Sequence, residues 1–261
     1  MPCGNVAGVL LAAGEGSRLG QPKALILLGG QSLARRGIAL LRDGGADPVI
    51  VVTGAAGAGQ LGTGPRAPGQ DARDQDPSGE DSSGEDNSGE DSSGEDSSGE
   101  DSSGEDSSGE DSSGEDSSGE DSSPVIAVHN PDWSTGMGSS LRVGLAAVPC
   151  HCTAAVLALA DQPLVGAAAV RRLISAHAAG ASVAVACYDG QPRNPVLISR
   201  EYWPEVAALA AGDTGARPFL RAHRDLVTEI ECGDTGRPDD IDTPDDLARI
   251  VALARTGPFP T

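Results

Sequence analysis

The sequence predicts an α/β domain built on a mostly parallel sheet. Two observations carry this: short apolar runs alternate with helical patterns along the chain, and the run near 155–160, "VLALA", has no polar alternation. Unbroken apolar strands are those covered on both faces, as helices cover a parallel sheet. A third observation locates the business end. The first apolar run, "VAGVLLAA", leads directly into a glycine-rich stretch with two basic residues, "LAAGEGSRLGQPK" at Leu11–Lys23.

Taken in order, the strand candidates are Val6–Ala12, Pro48–Thr53, Val125–Val128, Ala154–Ala160, Ser182–Cys187, Asn194–Ser199 and Val227–Glu231. The helix candidates between them are Ser32–Asp43, Ser139–Ala147, Ala167–Ala179, Glu201–Ala211, Ala216–Arg224 and Pro244–Ala254. In "GMGSSLRVGL", glycine and serine before Leu141, Leu145 and Val148 describe a helix N-terminus above an apolar face, which can itself bind an anion. The last helix has a legible start: Thr243 can cap it, Pro244 suits its first position, and Asp246 follows three residues after the cap. Gly54–Gly64 is a poor helix former. Aromatic residues are scarce, so the core is expected to consist of Ala, Leu, Val and Ile.

The formal charge of −21 is concentrated in one place. Gly79–Ser123 is nine pentads of Gly-Glu-Asp-Ser-Ser type, altered once at Asn87, with 18 acidic residues and no basic one. The remainder carries a net charge of −3. The repeat has no apolar residue to bury and repels itself, so disorder is expected. A surface loop can absorb such an insert because closure cost grows only logarithmically with length. The chain therefore reads as a single domain over 1–261, interrupted by an acidic insert at about 65–123. The insert is either an inert loop or a weak attractor of cations and basic partners.

No window approaches a membrane-spanning apolar run, and the N-terminal apolar run reads as a strand and not as a leader. Nothing points to nucleic acid. The five cysteines are scattered, and "CHC" at Cys150–Cys152 lacks the second ligand pair of a zinc site. Reduced thiols in a cytoplasmic protein are expected. His129, His151, His177 and His223 show no ligand or base spacing.

Ligands of open α/β sheets bind beyond the carboxyl ends of the strands, which puts 13–23, 129–140 and 161–163 on the functional rim. Gly14, Gly16 and Gly20 permit tight turns and close approach of an anion to the backbone. Arg18 can fork onto phosphate oxygens, Lys23 supplies a mobile point charge, and Pro22 fixes the chain before it. Neither standard phosphate fingerprint fits: Gly20 is followed by Gln21-Pro22-Lys23, and it falls one residue late for Gly-x-Gly-x-x-Gly. A plain surface turn remains an alternative. Asp161, at the end of an apolar run, can meet a bound triphosphate through Mg²⁺, which needs one or two protein carboxylates; a strand-end turn residue is the bland alternative. Asp242 precedes the last helix, where acids are commonly structural.

These segments together resemble a known family. "LLAAGEGSRLGQPKALILLGG", "NPDWSTGMGSSLRVGL" (Asn130–Leu145), "LALADQP" (Leu157–Pro163), "GQPRNPVLISREYWPEVAALAAGDTGARPFL" (Gly190–Leu220) and "DIDTPDDL" (Asp240–Leu247) resemble the MobA-like NTP transferases. The branch most similar is that of molybdenum cofactor cytidylyltransferase, through "LAAG" and "ADQP". The resemblance implies a Rossmann-like, GT-A-like three-layer nucleotidyltransferase fold with a mostly parallel central sheet. It implies that the backbone at Leu11, Ala12, Ala13, Gly14, Gly16 and Ser17 lies against the nucleotide, with Arg18 and Lys23 on its phosphates. Asp161 and Asp242 would hold Mg²⁺, Ser139 and Ser140 would meet the base or ribose, and Arg193 and Asn194 would face the acceptor. The implied partners are CTP, a molybdopterin-type acceptor and a molybdoenzyme maturation partner. Rival readings are a transferase for sugar phosphates or other small phosphates, and a nucleotide-binding accessory protein.

Overall fold

The structure is a computed structural model that describes residues 5–61 and 124–256. The acidic repeat and Cys3 lie outside the described residues. The two described segments belong to one compact unit.

Seven strands form the sheet: β1 (Val6–Ala12), β4 (Val49–Thr53), β5 (Val125–His129), β6 (Ala154–Leu159), β7 (Val183–Tyr188), β8 (Gln191–Ser199) and β9 (Val227–Glu231), in the order β5-β4-β1-β6-β8-β7-β9. β1 pairs in parallel with β4 and β6, β4 with β5, and β7 with β9; β8 is antiparallel to both its neighbours. The reason for the reversed strand is local. Asp189 (φ 52°) and Gly190 (φ 70°) are both left-handed, the two-residue turn that matches strand twist in a tight hairpin, and it joins Tyr188 to Gln191 as a cross-strand pair. β8 therefore starts three residues before the predicted Asn194. A second hairpin, β2 (Leu27–Leu28) and β3 (Gln31–Ser32), was not among the predicted elements.

The helices are α1 (Leu33–Asp43), α2 (Met137–Ala147), α3 (Ala167–Ala178), α4 (Trp203–Leu209), α5 (Arg217–Ala222) and α6 (Pro244–Thr256). Alternate strand residues face opposite helix layers. Leu10, Val51 and Val156 pack with Ile38 and Leu41 of α1 and Leu173 of α3. Val9, Ile50 and Leu157 pack with Leu141 and Leu145 of α2, Val206 of α4 and Phe219 of α5. The result is three layers, helix-sheet-helix. Each fully buried leucine here is worth about 2 kcal/mol, and the buried set is dominated by Ala, Val, Leu and Ile. Trp203 is buried and donates from Nε1 to the Ile198 carbonyl at 3.0 Å.

Several helix ends differ from expectation. Ser32 caps α1 from outside it, accepting from Arg35 N at 3.3 Å. α2 starts two residues early, at Met137. α4 and α5 are shorter than predicted because Glu201–Tyr202 and Arg224 fall in separate 3₁₀ turns. Ala58–Leu61 is also a single 3₁₀ turn, as befits its glycine content. Cys150, Cys152, Cys187 and Cys232 are free thiols. No helix of the described residues is long and apolar enough to cross a membrane.

Candidate active site

β1 ends at Ala12 and delivers the glycine-rich loop onto the carboxyl edge of the sheet. The loop folds back on itself. Gly16 is left-handed (φ 65°), and a Cβ there would lie 2.2 Å from the Gln21 carbonyl oxygen, so no side chain fits. Two backbone bonds hold the fold-back: Leu19 N donates to Gly16 O at 2.8 Å, and Lys23 N donates to Gly14 O at 3.3 Å. Lys23 is thereby carried back beside the end of β1. Pro22, in an extended conformation, enters the 3₁₀ turn Lys23–Leu25.

Two carboxylates meet the lysine. Asp161 stands just past β6, the parallel neighbour of β1, and its Oδ2 accepts from Lys23 Nζ at 2.7 Å. Asp242 stands before α6, and its Oδ1 accepts from the same nitrogen at 2.5 Å. A reciprocal cap fixes this helix start: Asp246 N donates to Thr243 Oγ1 (3.2 Å), and Thr243 N donates to Asp246 Oδ2 (3.0 Å). Below it, Ile241 and Ile250 pack on Ile26, Leu28 and Leu33 of the small hairpin region. Burial alone would lower the Lys23 ammonium, but Asp161 and then Asp242 more than offset this and hold its pKa above the ordinary lysine value. Asp240, two residues before Asp242, keeps an exposed edge. Desolvation pushes its carboxyl up, with added repulsion from Asp161 and Asp242, against a 2.8 Å hydrogen bond from Gln162 Nε2.

Above these groups lies a cleft of about 480 Å³. Its lining includes Leu11, Ala12, Ala13, Gly14, Gly16, Ser17, Lys23, Ser140, Asp161 and Asp242, so most of the predicted nucleotide and metal residues are brought together. Arg18 and Ser139 are not in that lining. Arg18 is exposed in the turn Ser17–Leu19 and has no side-chain partner among the described residues. Ser139 is turned inward, with Oγ 2.8 Å from the Gly136 carbonyl and 3.0 Å from that of Asp132. Buried Asn130, at the end of β5, donates to both serines, at 2.8 Å to Ser139 and 3.0 Å to Ser140.

Trp133 and Met137 line the cleft from within the predicted rim segment 129–140, though neither is among the predicted site residues; Asp213, also in the lining, lies outside the predicted rim. Asp213 accepts from Met137 N at 3.3 Å at the start of α2, where an acid suits the helix dipole. The available signal for Asp213 is its place in the turn "GDTG" at Gly212–Gly215. Arg142 points elsewhere, donating to the Ala210 carbonyl.

Arg193 and Asn194 belong to a different cavity, of about 580 Å³, between β8, β7, β9 and α5. A small recess of about 40 Å³ lies between the two spaces. It shares Leu11, Met137 and Leu159 with the first, and Asn194, Val196, Arg217 and Leu220 with the second.

The metal fit can be judged from the donors. Among the described residues no group of three or more His, Cys, Asp or Glu is arranged to hold a metal ion. Two carboxylate oxygens do converge on one cationic centre, the Lys23 ammonium. That is the donor set Mg²⁺ takes from a protein when phosphate oxygens and water complete its shell.

Comparison with known proteins agrees with the architecture. The chain is 32% identical over 260 residues to nicotine blue oxidoreductase of Paenarthrobacter nicotinovorans, covering 96% of this chain and 98% of the relative. It is 47% identical over 47 residues to a probable molybdenum cofactor guanylyltransferase of Opitutus terrae, covering 18% of this chain and 23% of that one. Among solved structures it resembles Rv0371c of Mycobacterium tuberculosis H37Rv, with 26% identity, TM-score 0.63, and 97% and 100% of the two chains covered. A manganese complex of that protein gives 25% identity and TM-score 0.60, covering 95% and 98%. Residues 8–78 and 112–227 match the MobA-like NTP transferase domain. The chain belongs to the MobA-like NTP transferase family.

Proposed function

We propose that the protein is a CTP:molybdopterin cytidylyltransferase that uses Mg²⁺. The observation that carries this reading is the meeting of Lys23, Asp161 and Asp242 on the floor of a cleft walled by the glycine-rich loop. The acceptor's phosphate oxygen attacks the α-phosphorus of the triphosphate. A new O–P bond forms, the bond to the β-phosphate oxygen breaks, and pyrophosphate leaves with the electron pair. The attacking group is already anionic, so no protein nucleophile is required. The barrier is charge repulsion and misalignment, which positioned cations relieve.

Asp161 and Asp242 would hold Mg²⁺, which supplies Lewis-acid neutralisation of the phosphate oxygens. Support for a divalent cation comes from the manganese complex of the related Rv0371c. Lys23 would contribute its ammonium to the triphosphate once cation and nucleotide enter, and Arg18, exposed on the rim, would close over the phosphates. Backbone around Ala12–Gly14 and the start of α2 at Ser140 would bound the nucleoside. Arg193 and Asn194 would face the acceptor.

The choice of CTP rests on "LAAG" and "ADQP", and the local match to a guanylyltransferase makes GTP the direct competitor. Pyrophosphate release from CTP, GTP and ATP, each with molybdopterin, tests the reading. Release with CTP above the other two is expected. Release only with a sugar phosphate would refute the acceptor and retain the transfer chemistry. A redox reading is favoured by the nicotine blue oxidoreductase relative; reduction of nicotine blue, with no pyrophosphate release from any pair, would replace the transfer reading with it.

A further inference from the structure

The cavity beyond the small recess has a composition unlike the nucleotide cleft. Arg193 on β8, Arg217 and Arg221 on α5, and Arg224 just after it all line it. None of the four guanidinium groups has a hydrogen-bond or ion-pair partner among the described residues. Two acids share the lining, Glu229 on β9 and Asp240, the latter engaged by Gln162. Four guanidinium groups against two carboxylates leave the cavity cationic. Its floor is apolar, formed by Val196 and Leu220 among others. Surface arginines ordinarily find carboxylates or carbonyls, as Arg172 and Arg249 do here with Asp234 and Asp239. Four guanidinium groups without partners among the described residues, around one cavity, can fork onto an anion.

We propose that this cavity binds the phosphate of an organic phosphate, with its carbon body lying on the apolar floor, and that Arg221 and Arg224 are its specificity-determining residues. The small recess lies between it and the nucleotide cleft, sharing lining residues with both. If the transfer reading holds, the occupant is the acceptor. That last step rests on the transfer reading; anion binding does not.

The probe is inorganic phosphate at low ionic strength, titrated into the isotopically labelled full chain without metal and followed by backbone amide shifts of residues 217–226. Saturable shifts are expected there. Arg221→Gln/Arg224→Gln should weaken phosphate binding at least about ten-fold, since each forked charge-assisted contact is worth about that much. Lys23→Ala, in the other cleft, should leave it unchanged. The retained-charge pair Arg221→Lys/Arg224→Lys should fall between, because an ammonium cannot fork; it also serves if the glutamine pair misfolds. Absence of saturable shifts at 217–226, or glutamine- and lysine-variant affinities equal to wild type, would overturn the proposal. Loss of the 217–226 shifts in Lys23→Ala would do the same, assigning phosphate to the nucleotide cleft. With any substrate pair that turns over, the glutamine pair should raise acceptor KM while leaving nucleotide KM unchanged. Failure of every pair to turn over refutes transfer and leaves the phosphate titration to decide the site.

Discussion

Lys23 Nζ lies 2.7 Å from Asp161 Oδ2, joining residues 138 apart in sequence at the carboxyl edge of two neighbouring parallel strands. Both side chains are about one-fifth exposed, while Asp242, the lysine's other partner, is more than half exposed. The lysine thus occupies the point at which two carboxylates from β6 and the start of α6 converge.

On the proposed function, a cation and Lys23 would compete for the same two carboxylates in the nucleotide-free protein. Lys23→Met should tighten Mn²⁺ binding several-fold while lowering kcat for transfer at least ~100-fold, because a charge aimed at the phosphates is lost. Calorimetric Mn²⁺ titration and pyrophosphate release check the two halves. Weaker or equal Mn²⁺ affinity would show that the lysine does not compete for the carboxylates.

The same contact has a pH signature. Burial lowers the Lys23 pKa, and the two aspartates more than restore it, so the folded value lies above the unfolded value of 10.5. A raised value means that the stabilising contribution is fully present below pH 10.5 and is lost as pH rises through the folded value. The Tm difference between wild type and Lys23→Met should stay constant through neutral pH and shrink only in strong alkali. A difference that closes near neutrality would contradict the ion-pair account.

The two left-handed glycines of the loop should respond differently to alanine. At Gly16 the new Cβ meets the Gln21 carbonyl at 2.2 Å, whereas at Gly20 (φ 71°) it meets nothing within 4 Å. Gly20→Ala should cost about 1 kcal/mol, the left-handed penalty alone, and Gly16→Ala about 3 kcal/mol or more. Urea midpoints measure both. Equal losses would mean that the fold-back onto Gln21 is not tight.

Thr243 holds the start of α6 and hence the position of Asp242. Thr243→Ala should cost about 1 kcal/mol in urea unfolding and raise the cation concentration needed for half-maximal transfer, with nucleotide specificity unchanged. An unchanged cation requirement would separate the cap from the site.

Much of this was legible because local signals agreed. Val6–Ala12 and Val227–Glu231 have the predicted bounds, and the Thr243–Asp246 cap is formed as its spacing indicates. The misses share a cause: turns were read as punctuation and not as topology. Asp189-Gly190 is a hairpin signal that reverses β8, and Gly29-Gly30, both left-handed, closes a hairpin with only two residues in each strand. Such strands are too short for any periodicity. In the cleft, the loop and both aspartates could be read from motifs. The inward turn of Ser139 and the role of Asn130 could not, because only folding brings the residue after β5 against both serines at the start of α2. Nor could four dispersed arginines be seen to surround one cavity, since β8, α5 and the turn after it meet only in the folded chain.

The most direct test of the central claim is Mg²⁺-dependent pyrophosphate release by wild type and Asp161→Asn, with the best nucleotide and acceptor pair. The neutral isostere keeps the shape and leaves Lys23 its contact with Asp242, so folding by circular dichroism should be retained. Turnover should fall at least ~100-fold, as expected when a cation worth several kcal/mol of charge stabilisation is lost. Near-normal release by a folded Asp161→Asn protein would contradict the account.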